Sequence, residues 1–373
     1  MGYALTGCAP LPPAPERPER AAQALVAGYE ETTFASLPGW ERDTVGPSLR
    51  AFLVSCARPG LAAALAAACG EARALTPDSE TAARAFFERA FVPYRMLAEG
   101  RSTGLITGYY EPIVRGSRSR TVRFAHPIYG VPGDLVVVDM ASVYPELRDL
   151  RLRGRIEGQR VLPYYSRAEI EARAEQIPAR VIAWAEDPVE VFFLQVQGSG
   201  QVLFEDGARI RVGFAEQNGH PYRSLGRYLV DAGELTLEQA SMDGIKRWAT
   251  ASPDKLKRAL QSNPSYVFFR ELPVNDGPIG AIGAPLSAGR SLAVDRRYIP
   301  LGAPVFLRTT DPLSREPLER LMVAQDTGGA IRGAVRADLY WGTGAEAGAR
   351  AGSMRQEGSL WLLWPRGAPP PAP

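Results

Sequence analysis

The sequence predicts a mainly β protein with α-helical parts, built as one domain inserted into another. Three observations lead there. From Thr103 onward, short apolar runs alternate with glycine- and proline-rich breaks, the pattern of many short strands joined by turns. Before that point, alanine-rich segments with helical character fill residues 21–96. β-rich material occurs near 100–111 and again beyond 275, with a separate β-plus-helix block between. That layout leaves a cleft between two units where a site could form.

Composition narrows the classes of function. A chain of 373 residues is long for a single domain. Its net charge of +2 carries no nucleic-acid footprint. The two histidines, His126 and His220, lie far apart without nearby cysteine pairs, so neither a metal nor another cofactor is expected. No apolar run reaches the ~18–20 residues of a membrane span.

Taken in order, residues 1–20 read as a shortened export signal and linker. Leu5-Thr6-Gly7-Cys8 resembles a bacterial lipoprotein cleavage box, in which Cys8 would become the lipidated first residue, and a proline-rich tether follows it. A working signal has a charged start and an apolar core of about 7–15 residues, and only seven residues precede Cys8. If the chain is exported, Cys56 and Cys69 can pair as a disulfide; two buried free thiols in a helical region fit equally well.

Helices are expected to about Met96, with Thr76-Pro77 opening the last, a stripe of Phe86, Phe87 and Phe91, and Pro93 closing it. TGLITGYYEPIVRGS reads as strand, turn, strand. HPIYG, DLVVVDM and VEVFFLQVQGSGQVLFEDG continue the strands to about Gly213, as a compact barrel. The arginine-rich stretch 146–160 reads as a solvated loop. Thr236 with Gln239 fits a capping box, and Ser252-Pro253 starts another helix. Beyond Gly277 the pattern is β throughout, and 367–373 reads as a disordered tail.

The chemistry concentrates in Ala324–Gly344, AQDTGGAIRGAVRADLYWGTG. Asp326 ends one apolar run, and Asp338 stands beside Leu339, Tyr340 and Trp341, where desolvation raises a carboxyl pKa toward proton donation. An aspartate in a glycine-rich loop is also a common turn former. Asp295, in AVDRRYIPLG, is a third acid at the edge of an apolar run. Asp326-Thr327-Gly328 matches the aspartic-protease tripeptide, but a dyad needs two copies and the chain has one. Gly100-Arg101-Ser102-Thr103-Gly104 lacks the strand-then-helix setting of a nucleophile elbow.

AVDRRYIPLG, AQDTGGAIRG and ADLYWGTG together resemble the three-aspartate (3D) domain, a six-stranded double-psi β-barrel. TGYYEP, FFLQVQGSG, QNGHPYRSLGRYL and NPSYVFFRE resemble the remainder of the membrane-bound lytic transglycosylase A family. The resemblance covers Thr103 to Trp364 in seven ordered motifs. It implies a barrel formed by 21–111, with its N-terminal helices, plus 275–366, and a smaller β-barrel of 112–274 inserted in it. It also implies cleavage of the MurNAc–β-1,4–GlcNAc bond of peptidoglycan without water, leaving 1,6-anhydro-MurNAc. The substrate's C6 hydroxyl is the nucleophile there, so one carboxyl suffices where an ordinary glycosidase needs two.

By motif position the acid is Asp338, with Asp326 beside it raising its pKa by like charge, and Asp295 in a supporting place. Thr107, Gly108 and Tyr109 would line the glycan cleft from one side and Gln197, Gly198 and Ser199 from the inserted domain, with Tyr340 and Trp341 beside the acid. Thr107 or the QGSG turn could instead fix the barrel. The expected partner is the peptidoglycan glycan strand, met by a monomer in the periplasm, tethered to the outer membrane if the signal is complete. A non-catalytic wall-binding module and a hydrolytic glycosidase are the alternatives.

Overall fold

The computed structural model describes residues 27–371 apart from 148, 149, 151, 175, 275 and 276. Cys8 and the 1–20 segment therefore lie outside the described residues. Strand β1 (Ala27–Glu31) precedes helices α1 (Gly46–Cys56), α2 (Ala66–Ala72) and α3 (Glu80–Ala90), then β2 (Phe91–Ala98) and β3 (Gly104–Glu111). Strands β4 (Ile113–Ser117), β5 (His126–Tyr129), β6 (Val136–Val137), β7 (Arg153–Glu157) and β8 (Arg160–Pro163) follow. Next come α4 (Arg167–Ala172), β9 (Val181–Ala185), α5 (Pro188–Gln197), β10 (Ser199–Phe204) and β11 (Arg209–Gln217). Helices α6 (Leu225–Asp231), α7 (Met242–Ala251) and α8 (Pro253–Gln261) lead to β12 (Val267–Leu272). The chain closes with β13 (Ser291–Val294), β14 (Pro304–Thr310), β15 (Pro317–Asp326), β16 (Ala337–Thr343), α9 (Ala345–Ser353) and β17 (Arg355–Pro365).

The architecture is mixed and mainly β. An eight-stranded sheet runs β1-β2-β17-β14-β15-β13-β16-β3, with a further pairing of β17 to β3. The chain leaves it after β3, builds a six-stranded sheet (β12-β11-β10-β4-β9-β5) and a small three-stranded one (β6-β7-β8), and returns at β13. Inside the large sheet, Ile106, Leu292, Val294, Met322, Ala324, Ala337, Leu339, Leu360 and Leu362 form one apolar core. Its outer side is covered by α1 to α3 through Phe52, Phe86 and Phe87, which with Phe91 at the start of β2 meet Leu321, Val323 and Leu363. Alternate residues of β15 thus face opposite cores, as a doubly covered strand requires.

Several elements differ from expectation. Residues 27–31 and 91–98 pair as strands, and Pro93 sits within β2, its carbonyl accepting from Thr32 N. Helix α3 is capped by the Ser79 hydroxyl, two residues beyond Pro77. The run PVEVFFLQVQ is helical: Asp187 accepts from Val189 N, Pro188 sits in the first turn, and Gly198 closes the helix at φ 77°. Gly108 lies inside β3 and the break falls at Pro112. The 146–160 stretch contains most of the β7–β8 hairpin, and of DLVVVDM only Val136–Val137 pairs. Thr236 and Gln239 exchange the reciprocal capping bonds but open a turn; the next helix starts after Ser241. Helix α9 interrupts the C-terminal strands, and its small Ala347, Gly348 and Ala351 let it lie against Tyr110 of β3. Within the tail, Trp364 Nε1 donates to the Pro369 carbonyl at 2.7 Å.

Cys56 and Cys69 are joined in a disulfide with Cα atoms 5.5 Å apart, which ties the end of α1 to α2. Closing a loop of this length removes about 3 kcal/mol of unfolded-chain entropy in the loop model. Replacing both cysteines by alanine is expected to lower the urea midpoint by a corresponding ~2–4 kcal/mol. An unchanged midpoint would show that the bond does not stabilise this fold.

Candidate active site

Strand register assembles the site. Ala293 of β13 stands opposite Asp326 on β15 and opposite Asp338 on β16, and Asp338 in turn stands opposite Thr107 on β3. Leu292 and Val294 point into the core, so Ala293 points away from it, together with Asp338 and Thr107. The two carboxylates thus flank one methyl group across three neighbouring strands, about 10 Å apart at the backbone.

Each carboxyl is held by its neighbours. Thr107 Oγ1 donates to Asp338 Oδ1 at 2.6 Å. Tyr109 OH donates to Asp326 Oδ2 at 3.1 Å, while the N–H groups of Ala281 and Thr327 donate to Oδ1, each at 2.9 Å. The Tyr109 ring leans on Tyr340, centroids 5.3 Å apart. Burial pushes the Asp326 carboxyl up to about 6, against the pull of these three donors. Burial likewise raises Asp338, opposed by the Thr107 hydrogen bond and the Arg336 charge. Like charge plays a smaller part than expected, and it acts from Asp338 on Asp326. The Tyr109 phenol is raised well above its ordinary range, chiefly by burial and then by both carboxylates, and stays a hydrogen-bond donor.

Asp295 has a different setting. It is buried, pairs with Arg297 (Oδ2 to Nη2 2.6 Å) and accepts from Gly333 N at 2.9 Å. It therefore pins the loop that delivers β16 to the end of β13.

The remaining expected residues fall around this line. Gln197 ends α5, and its Oε1 accepts from Tyr110 N at 3.1 Å, so the inserted unit is stitched to β3 beside the site. Gly198 and Ser199 follow it into β10. Gly108 and Gln197 share a cavity of about 180 Å³ with Phe193, Val196 and Met242. Trp341 lies on the other side of β16 from Asp338: its Nε1 reaches Met354 Sδ, and Arg350 of α9 covers the ring. A Cβ on Gly108 would come within 2.6 Å of that indole nitrogen, which is why glycine stands there. Tyr340 is only 3% exposed and supports Tyr109 rather than offering an open face. Ala293, Arg336 and the Ala281 N–H escaped the sequence reading. For Arg336 a signal existed, since it precedes the acid by two residues at the mouth of a strand.

Asp326 gives a pH test. Its pKa is higher folded than unfolded, so its contribution to stability is complete below about pH 4 and falls as pH rises to about 6. Above that the folded chain carries the Asp326 charge in a buried place. Asp326→Asn is expected to match wild type near pH 4 and to exceed it by up to about 2 kcal/mol at pH 7.5. Parallel urea midpoints at both pH values would rule this out.

Residues 105–270 match the model of the MltA specific insert domain, and 290–364 match the 3D domain. The crystal structure of MltA from Neisseria gonorrhoeae in a monoclinic form is 41% identical and superimposes at a TM-score of 0.83 over 93% of this chain and 95% of that one. The chain belongs to the MltA family. The membrane-bound lytic murein transglycosylase A of Escherichia coli K12 is 36% identical over 265 residues, 69% of this chain; the match spans 64% of that relative's length. A crystal structure of E. coli MltA with bound chitohexaose is 28% identical, with a TM-score of 0.68 over 88% of this chain and 91% of that one. Among the described residues, no helix of this MltA-family chain is long and apolar enough to cross a membrane.

Proposed function

We propose that this chain is a murein lytic transglycosylase that cleaves the MurNAc–β-1,4–GlcNAc bond and releases 1,6-anhydro-MurNAc products. The observation that carries the reading is the in-register line Asp326–Ala293–Asp338–Thr107 on the side of the sheet facing away from the core. Asp338, whose protonated form burial favours, donates its proton to the departing O4 of GlcNAc as the C1–O4 bond breaks. The resulting carboxylate takes the proton of the C6 hydroxyl as that oxygen closes on C1. Thr107 fixes the direction of the Asp338 carboxyl, and Asp326, held by Tyr109 and two N–H groups, supplies negative charge near the developing oxocarbenium. Ala293 is the floor on which the sugar rests, and Gln197, Gly198 and Ser199 close the cleft from the inserted unit. That a relative has been solved with a β-1,4-linked N-acetylglucosamine oligomer supports a glycan strand as the ligand.

We read the circuit β17-β14-β15-β13-β16-β3, closed by the β17–β3 pairing, as the double-psi barrel, with 112–274 inserted after β3. We place the protein in the periplasm, a compartment that suits its disulfide. Digestion of purified sacculi followed by mass spectrometry of the soluble fraction tests the function. Anhydro-muropeptides support it. Reducing muramyl ends would convert the reading to a hydrolase, and undigested sacculi carrying bound protein would convert it to a wall-binding module.

A further inference from the structure

Two arginines border the Asp338 carboxyl without a carboxylate of their own. Arg336 stands two residues before Asp338, immediately ahead of β16, and the two side chains are near enough for each to feel the other's charge. Its Nη1 donates to the carbonyls of Leu105 and Ala337, and it forms no ion pair among the described residues. Arg355 of β17 stands opposite Thr107, one strand further along the same line, and is exposed and likewise unpaired. Glu357, opposite Leu105, is the nearby acid on β17 and pairs with neither arginine. Burial depresses the Arg336 guanidinium below its ordinary range, and its charge is felt by Asp338. A half-desolvated guanidinium that forms no ion pair is costly, and its planar fork matches a carboxylate.

We propose that Arg336, with Arg355 beside it, receives a carboxylate carried by the muramoyl residue of the substrate. The group is either the free lactyl carboxylate of a strand stripped of peptide or a carboxylate of the attached peptide. The site then prefers anionic murein to neutral chitin-type glycan. This rests on the murein reading above. The lactyl group hangs from C3 of the sugar whose C1 is attacked, a few bonds from the anomeric carbon, as Arg336 lies close to the Asp338 carboxyl.

Binding, rather than turnover, separates the two claims. In the full-length chain carrying Asp338→Asn, three probes are titrated: chitohexaose, glycan oligomers stripped of peptide by an amidase, and peptide-bearing glycan oligomers. Adding Arg336→Gln is expected to weaken a carboxylate-bearing probe by about tenfold or more while chitohexaose changes less than twofold, and Arg336→Lys to restore most of the loss. Loss confined to the stripped strand identifies the lactyl group; loss confined to the peptide-bearing strand identifies the peptide. Equal weakening of all three probes, or of none, overturns the proposal. If the wild-type chain releases no anhydro product from sacculi, the catalytic reading falls while this comparison still stands.

Discussion

Asp338→Asn is expected to leave a folded protein that still binds glycan and to slow the release of anhydro-muropeptides about 10²–10⁴-fold relative to wild type. The amide keeps the shape of the carboxyl and can still accept from Thr107 Oγ1, now 2.6 Å away. It has no proton to give to the leaving oxygen and cannot collect one from C6. Loss of general acid–base catalysis is worth that many powers of ten. Mass spectrometry of digested sacculi reads the rate, and circular dichroism checks the fold. Turnover within tenfold of wild type would remove Asp338 from the role.

Glu111→Ala carries the largest expected loss of stability. Glu111, at the end of β3, is fully buried and accepts from Arg211 Nε at 2.6 Å, from Gln201 Nε2 at 3.0 Å and from Thr343 Oγ1 at 2.7 Å. These partners come from β10 and β11 of the six-stranded sheet and from β16 of the large one, so a single carboxylate fastens both sheets. Removing it strands a guanidinium that is 4% exposed, at a cost of about 3–5 kcal/mol. Urea denaturation should show that drop, and Glu111→Leu combined with Arg211→Met should recover much of it, because the pair then leaves no unpaired charge. A drop under about 1 kcal/mol for Glu111→Ala would mean that water enters and solvates Arg211.

How much was legible in the sequence depended on the range of the interactions involved. The acids announced themselves, since carboxylates at the ends of apolar runs are expensive unless used. The partners that orient them did not, because Thr107 reaches Asp338 across 231 residues and only strand register brings them together. Helix α5 was misread because its valines and phenylalanines have strand propensity; the deciding signals were local, Asp187-Pro188 before it and Gly198 after it. Strand β2 hid behind the helix it follows, although its buried residues fall partly at alternate positions. Helix α9 is rich in alanine and glycine, and the face it buries, Ala347, Gly348 and Ala351, is made of residues too small to stand out as an apolar stripe. Ala293 could not be singled out at all. An alanine in a strand says nothing until its two neighbours prove to be aspartates.

Strand β3 touches both halves of the molecule within five consecutive residues. Thr107 and Tyr109 hold the two acids, Tyr110 N donates to the amide oxygen of Gln197, and Glu111 grips Arg211. A substitution that loosens this one short strand at either end therefore reaches both the paired acids and the seam with the inserted sheet.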